Sequence, residues 1–450
     1  MKNHKEILRR LSLLLLSLLL LLPSCTSGIE DPIGDLEELE NFAPYLSAEE
    51  AEALFGAETV GKSPQFDGPY MYFIAKYPEG GKNPLNPNQS DPLTVYRYNC
   101  ETGVADYACR DTVCTHNFGS GCPFENVREN GPIVVTHGCL VYLALGEDLG
   151  EALKYYRPET GEFATIAEDV DNYWLAGNFV YYNHFEMVED PDDPAQLIES
   201  KEIWRWDPES GETKCIYTGE MSNQCQPLLL KGKELLLDSA LPDPTGKPSE
   251  EGRWLYLIDP ETGERELAFD KPLPGLDPLS IAGEWFLYEQ FDPDYYYTDD
   301  GDSKKTLHLA NFITGEDREL GTYAERIGAA SAILTERCVL WIQPDLNDDF
   351  TKILYMFDIR TGERSEYPLH CAWDSLFGYY HRGRLYLRGG FETSERVAAA
   401  ALQGTDPQKY SEIASKWLNS GIYVEWDILT GRQRVIDKLK VFEPEMPAPQ

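Results

Sequence analysis

Residues 254 to 266 read WLYLIDPETGERE: an apolar run, a turn built on Asp259, Pro260 and Gly263, and a polar exit. The same turn returns as NCETG at 99–103, RPETG at 157–161, DPESG at 207–211, DPETG at 259–263, NFITG at 311–315, DIRTG at 358–362 and DILTG at 427–431. Most copies open with Asp or Asn, which bonds backbone two residues on, and every copy closes on a Gly suited to the left-handed conformation. This predicts hairpins made of a type I turn ending in a bulge. The seven glycines stand 58, 50, 52, 52, 47 and 69 residues apart, a period that marks a repeat architecture.

Ahead of the turns lies a second recurring element, an apolar and aromatic run that follows its own short turn. It reads GPYMYFIAKY from 68, HGCLVYLAL from 137, AGNFVYYNHF from 176, KGKELLLDS from 231, AGEWFLYEQ from 282, ERCVLWIQ from 336 and RGRLYLRGG from 382. Weaker apolar segments such as PIVVT at 132–136 and NYWLA at 172–176 come before these, so each unit holds about four short antiparallel strands. The runs do not alternate apolar with polar, as befits sheets covered on both faces. The pattern predicts an all-β chain, a seven-bladed β-propeller of four-stranded antiparallel blades over 57–442. A β-sandwich or a β-solenoid fits the period less well.

At the front of the chain, Lys2, Lys5, Arg9 and Arg10 precede LSLLLLSLLLLL at 11–22, a charged segment and an apolar core too short to span a bilayer. Leu22, Pro23, Ser24 and Cys25 then resemble the lipobox of bacterial lipoproteins, in which the Cys is lipidated and becomes the new N-terminus. A plain secretory signal is the alternative, and either reading puts the mature chain outside the cytoplasm. The expected order is a lipoprotein signal peptide at 1–24, an acidic tether at 25–46, a short helix at 47–56, the propeller, and a C-terminal tail at 443–450. Ser47 and Glu50 form a capping box for that helix, and Gly56 stands at its end.

Formal charge is −38, which argues against nucleic acid as a partner and against an electrostatic hold on anionic lipid. The expected location is the extracytoplasmic face of the cell membrane, held through lipid on Cys25.

In an up-and-down blade the 1–2 and 3–4 connections share one face, and the 2–3 connections share the other with the links between blades. The tight TG turns occupy the first face. The 2–3 connections are long and unlike one another, among them PEGGKNPLNPNQSDP at 78–92 and DPDYYYTDDGDSKK at 292–305, so ligand binding is expected on that second, decorated face. The loop at 292–302 offers Tyr295, Tyr296 and Tyr297 amid Asp292, Asp294, Asp299, Asp300 and Asp302, aromatic rings for stacking and carboxylates able to accept sugar hydroxyls or hold Ca²⁺. The longest insertion, 391–421, reads as two helices, the second capped by Asp406 with Tyr410, Ile413, Ala414 and Trp417 on one side.

Between the first and second blades sits ACRDTVCTHNFGSGCPF, with Cys109, Cys114, His116 and Cys122. This density fits a Cys₃His zinc site, a disulfide, or free thiols, and the spacing is that of no standard finger or ribbon. The segment resembles the C-x-D-P-x-C-x-H…C-P element of exported propeller-like lipoproteins of anaerobic Gram-positive bacteria, with Thr112 in place of the Pro. The D-x-x-T-G-E turns resemble those of TolB-like and quinoprotein-type propellers. The quinoprotein repeat continues to a Trp that these copies lack, which weakens any quinone-cofactor reading. The sequence carries no nucleophile elbow, zincin helix, phosphate loop or sialidase box. Two functions stay open: a binding or scaffolding module for a glycan, peptide or protein partner, and a propeller hydrolase or lyase acting on polysaccharide.

Overall fold

The computed structural model describes residues 46 to 436 apart from 56–65, 77–92, 115–120, 190–196, 239–252, 292–303, 325–331, 370–376, 389–422 and a few stretches of one to four residues. No helix among the described residues is long and apolar enough to cross a membrane. The expected signal peptide, the lipidation site Cys25, the tether short of Leu46, the insertion helices and the C-terminal tail all lie outside the described residues.

After one helix, α1 (Ala48–Phe55), the chain runs through seven four-stranded antiparallel sheets, each drawn from one continuous stretch with its strands paired in sequence order. They occupy 66–107, 134–167, 170–218, 226–267, 276–324, 332–369 and 377–436, and are called blades one to seven below. The fold is an all-β propeller of four-stranded antiparallel blades with a short N-terminal helix.

The turn phrase explains itself chemically. In DPESG, the Gly211 N–H bonds the Asp207 carbonyl four residues back at 2.8 Å and the Asp207 N–H bonds the Glu212 carbonyl at 2.9 Å. The Asp207 carboxylate accepts from the Glu209 N–H at 2.8 Å and the Ser210 hydroxyl from the Glu212 N–H at 3.2 Å. The Gly211 φ of 74° is left-handed. Copies at 157, 259, 311 and 358 close with the same pair of backbone bonds. The loop is thus four residues long, one longer than the expected type I turn with a bulge, and the Thr or Ser hydroxyl caps the N–H of the Glu that follows it.

Packing accounts for the missing alternation in the second strands. Side chains leave a strand on opposite faces in turn, and here both faces are buried. Tyr72, Tyr181, Leu287 and Tyr386 join apolar clusters with the following blade, and their neighbours Phe73, Tyr182, Tyr288 and Leu385 join clusters with the preceding one. Seven such clusters each link two consecutive blades, the last linking the seventh to the first through Tyr386, Met71 and Phe73. First strands of several neighbouring blades touch one another, those of blades one and two, three and four, five and six, and six and seven, which puts the first strands innermost.

Helix α1 begins with the expected capping box: the Ser47 hydroxyl accepts from the Glu50 N–H at 3.2 Å and the Glu50 carboxylate accepts from the Ser47 N–H at 2.9 Å. Its apolar end, Phe55, enters the cluster between blades six and seven with Leu340, Tyr380 and Leu385. The Thr335 hydroxyl donates to the Phe55 carbonyl at 2.5 Å, and Arg337 donates to the Ala53 carbonyl. Both partners belong to the 1–2 turn of blade six, so the helix seats on the tight-turn face.

Candidate metal centre

The crossover from blade one to blade two leaves the strand Val104–Tyr107 and enters the strand Val134–Thr136. Along it Cys109 and Cys122 are buried and Cys114 is half-buried. Their Sγ atoms all lie within 4.8 Å of one another. All eight described cysteines are thiols, and among the described residues this trio is the one grouping of His, Cys, Asp or Glu with metal-ligand spacing. His116, expected beside them, lies outside the described residues.

Two tyrosines of blade two fix the backbone next to two of the thiols. The Tyr156 hydroxyl accepts from the Arg110 N–H at 2.8 Å, and the Tyr142 hydroxyl donates to the Pro123 carbonyl at 2.5 Å. Phe124 packs on both rings, with centroids 5.1 Å from Tyr142 and 4.9 Å from Tyr156. A hydrogen bond to Cys109 and burial hold the Cys122 thiol protonated well above the usual thiol range, against the opposing pull of the Phe124 backbone N–H. A divalent soft-acid cation would displace such protons.

The sequence reading passed over a second feature. On the tight-turn face between blades two and three, a polar cavity of about 640 Å³ is lined by His137, Tyr155, Arg157, Glu162, Trp206 and Glu209 among others. Arg157 holds the turn position that Asp fills in other copies, and reaches across to donate to the Pro208 carbonyl at 2.5 Å. His137 Nδ1 stands 3.2 Å from Glu209 Oε1, and the Tyr155 hydroxyl donates to Glu162 at 2.7 Å, a bond that raises the pKa of the phenol. The odd residue at 157 was the available signal. The loop carrying Asp292, Asp294, Tyr295, Tyr296, Tyr297, Asp299, Asp300 and Asp302 lies outside the described residues.

No family model matches the chain. No curated protein matches it either. Solved structures do: the acylaminoacyl peptidase of Pyrococcus horikoshii is similar over 88% of this chain and 53% of its own, at 15% identity and a TM-score of 0.51. This chain therefore spans about half the length of that enzyme. The β-propeller domain of the Trilobed protease from Pyrococcus furiosus matches over 85% of this chain and 97% of its own, at 12% identity and a TM-score of 0.50. TolB from Acinetobacter baumannii matches at 11% identity over 92% of this chain and 85% of its own, with a TM-score of 0.37, too low to add to the argument. At these identities the likeness is one of fold alone, a propeller.

Proposed function

We propose that the chain is a membrane-anchored, extracytoplasmic propeller lipoprotein of seven blades, acting as a binding or scaffolding module for a glycan, peptide or protein partner. One observation carries the reading: α1, the element that follows the expected tether, docks on the tight-turn face through Thr335, Arg337 and the apolar cluster around Phe55. An anchor on Cys25 would then reach the blades from that side. The second strands end and the third strands begin on the opposite side, so the variable connections between them would face away from the membrane. A rigid ring with uniform hairpins toward the anchor and unlike loops away from it suits display of a binding surface.

Two measurements on the full chain test this. Cys25→Ala should move the protein from the membrane fraction to the soluble one, or leave it unprocessed; a mature N-terminus other than lipidated Cys25 would defeat the anchor. The soluble form, screened on glycan and peptide arrays and on polysaccharides, should show saturable binding without product. Release of shortened oligosaccharides would instead make it a polysaccharide hydrolase or lyase.

A further inference from the structure

We infer that Cys109, Cys114 and Cys122 bind a structural zinc ion that staples the crossover between blades one and two. Tetrahedral zinc–thiolate bonds of about 2.3 Å put sulfurs roughly 3.8 Å apart, so three Sγ atoms already within 4.8 Å of one another need only a small contraction to meet one ion. A disulfide would use two of the three, needs a separation of about 2.05 Å, and would leave the third thiol without a role in the cluster.

The site is also built in advance. Tyr156 fixes the backbone beside Cys109 and Tyr142 the backbone beside Cys122, so both segments are held by blade two rather than by the metal. This is the work that outer hydrogen bonds do around metal ligands. Cys109 and Cys122 lie inside the apolar cluster that joins the two blades, and the half-buried Cys114 lies at its margin, which gives an ion a way in. Binding replaces up to three S–H protons by one Zn²⁺, and the protons leave to solvent.

The ligands lie along the link between two blades, on the same side as the 2–3 connections, so the ion would tie that link down at the edge of the decorated face. The inference stands apart from the binding role proposed above, because it concerns what holds the blades together.

The test uses the full chain with Cys25→Ala, purified anaerobically with a thiol reductant. Metal analysis should find about one zinc per chain, falling to none in Cys109→Ser and in Cys122→Ser. Co²⁺ exchanged into the parent should give thiolate charge-transfer and tetrahedral d–d bands. Bound metal should shield three thiols from alkylation that a chelator re-exposes, a reading that needs no variant to fold. Failure of the folded, reduced parent to take up zinc or Co²⁺, or metal uptake that leaves these three thiols as reactive as before, would overturn the inference. So would a Cys109–Cys122 disulfide in protein that, once reduced, still binds no metal.

Discussion

The ring of Phe66, on the first strand of the first blade, lies flat on the imidazole of His381, on the first strand of the last, with centroids 4.2 Å apart and planes 7° apart. His381 Nε2 lies 3.1 Å from the Gly68 carbonyl, and Phe66 also meets Tyr386 at 5.0 Å. Since every sheet among the described residues is built from one continuous stretch of chain, no shared strand among them closes the ring, and these side-chain contacts join its two ends. Behind them the buried Arg384 donates to Glu425 at 2.5 Å, and the Tyr386 hydroxyl donates to the same oxygen at 3.1 Å.

Phe66→Ala should therefore lower stability by about 2 kcal/mol. Arg384→Met should cost more, about 3–5 kcal/mol, because it strips the Arg384 partner from a carboxylate with 0% exposure. Denaturation midpoints check both, and a parent-like midpoint for Phe66→Ala would move ring closure elsewhere.

Gly383 and Gly211 separate backbone strain from crowding. Both are left-handed, at φ 77° and 74°, and Ala at either costs about 1 kcal/mol for that conformation alone. A Cβ on Gly211 meets nothing within 4 Å, whereas one on Gly383 comes within 2.9 Å of both Leu46 and Phe55. Gly211→Ala should lose only the backbone cost. Gly383→Ala should in addition loosen α1, seen as faster proteolysis near residue 50 in the folded protein. Equal cleavage in the two variants would separate α1 from this turn.

Much of this architecture was legible in the sequence because a hairpin is a local object. Asp259, Thr262 and Gly263 each satisfy a backbone need within five residues, so the phrase identifies its own geometry wherever it occurs. The mutual approach of Cys109, Cys114 and Cys122 was legible only as density, since spacing alone could not tell a disulfide from a metal or from loose thiols. Their anchoring by Tyr142 and Tyr156 was hidden, because both tyrosines look like ordinary members of apolar strands. The cavity at Arg157 was missed for a related reason: its walls come from turns fifty residues apart, and nothing in either turn names the other.

Asp317 gives the fold an acid-sensitive contact. Burial acts to raise its carboxyl, but the hydrogen bond and charge of His308 at 3.2 Å, the Tyr288 hydroxyl at 3.1 Å and the charge of Lys271 outweigh it, leaving the group below its ordinary range. A depressed folded-state value contributes stability that is present above the unfolded value of about 3.9 and is lost as pH falls through the folded one. Asp317→Asn should thus melt lower than the parent near neutrality, with the gap narrowing below about pH 4. A gap that stays constant into acid would mean that the carboxylate charge contributes nothing there.

The last prediction concerns the decorated face and follows from topology and sequence. The strands Trp285–Phe291 and Lys304–Asn311 bracket the 292–303 connection, and both are pinned: Tyr288 is fully buried, and Lys305 pairs with the buried Glu289 at 3.1 Å. The base of the loop is therefore rigid whatever its tip carries. Tyr295, Tyr296 and Tyr297 offer flat rings with polar tips amid five aspartates, a combination that anchors sugars or protein surfaces at little entropic cost. Replacing all three with Ser should weaken ligand binding at least tenfold, about 1.4 kcal/mol, while leaving the melting temperature within a degree or two of the parent, because the flanking strands are held by Tyr288 and by the Lys305–Glu289 pair. A ligand found by array screening that binds this variant as tightly as the parent, yet fails to bind Arg157→Ala, would transfer the binding face to the tight-turn side and its polar cavity.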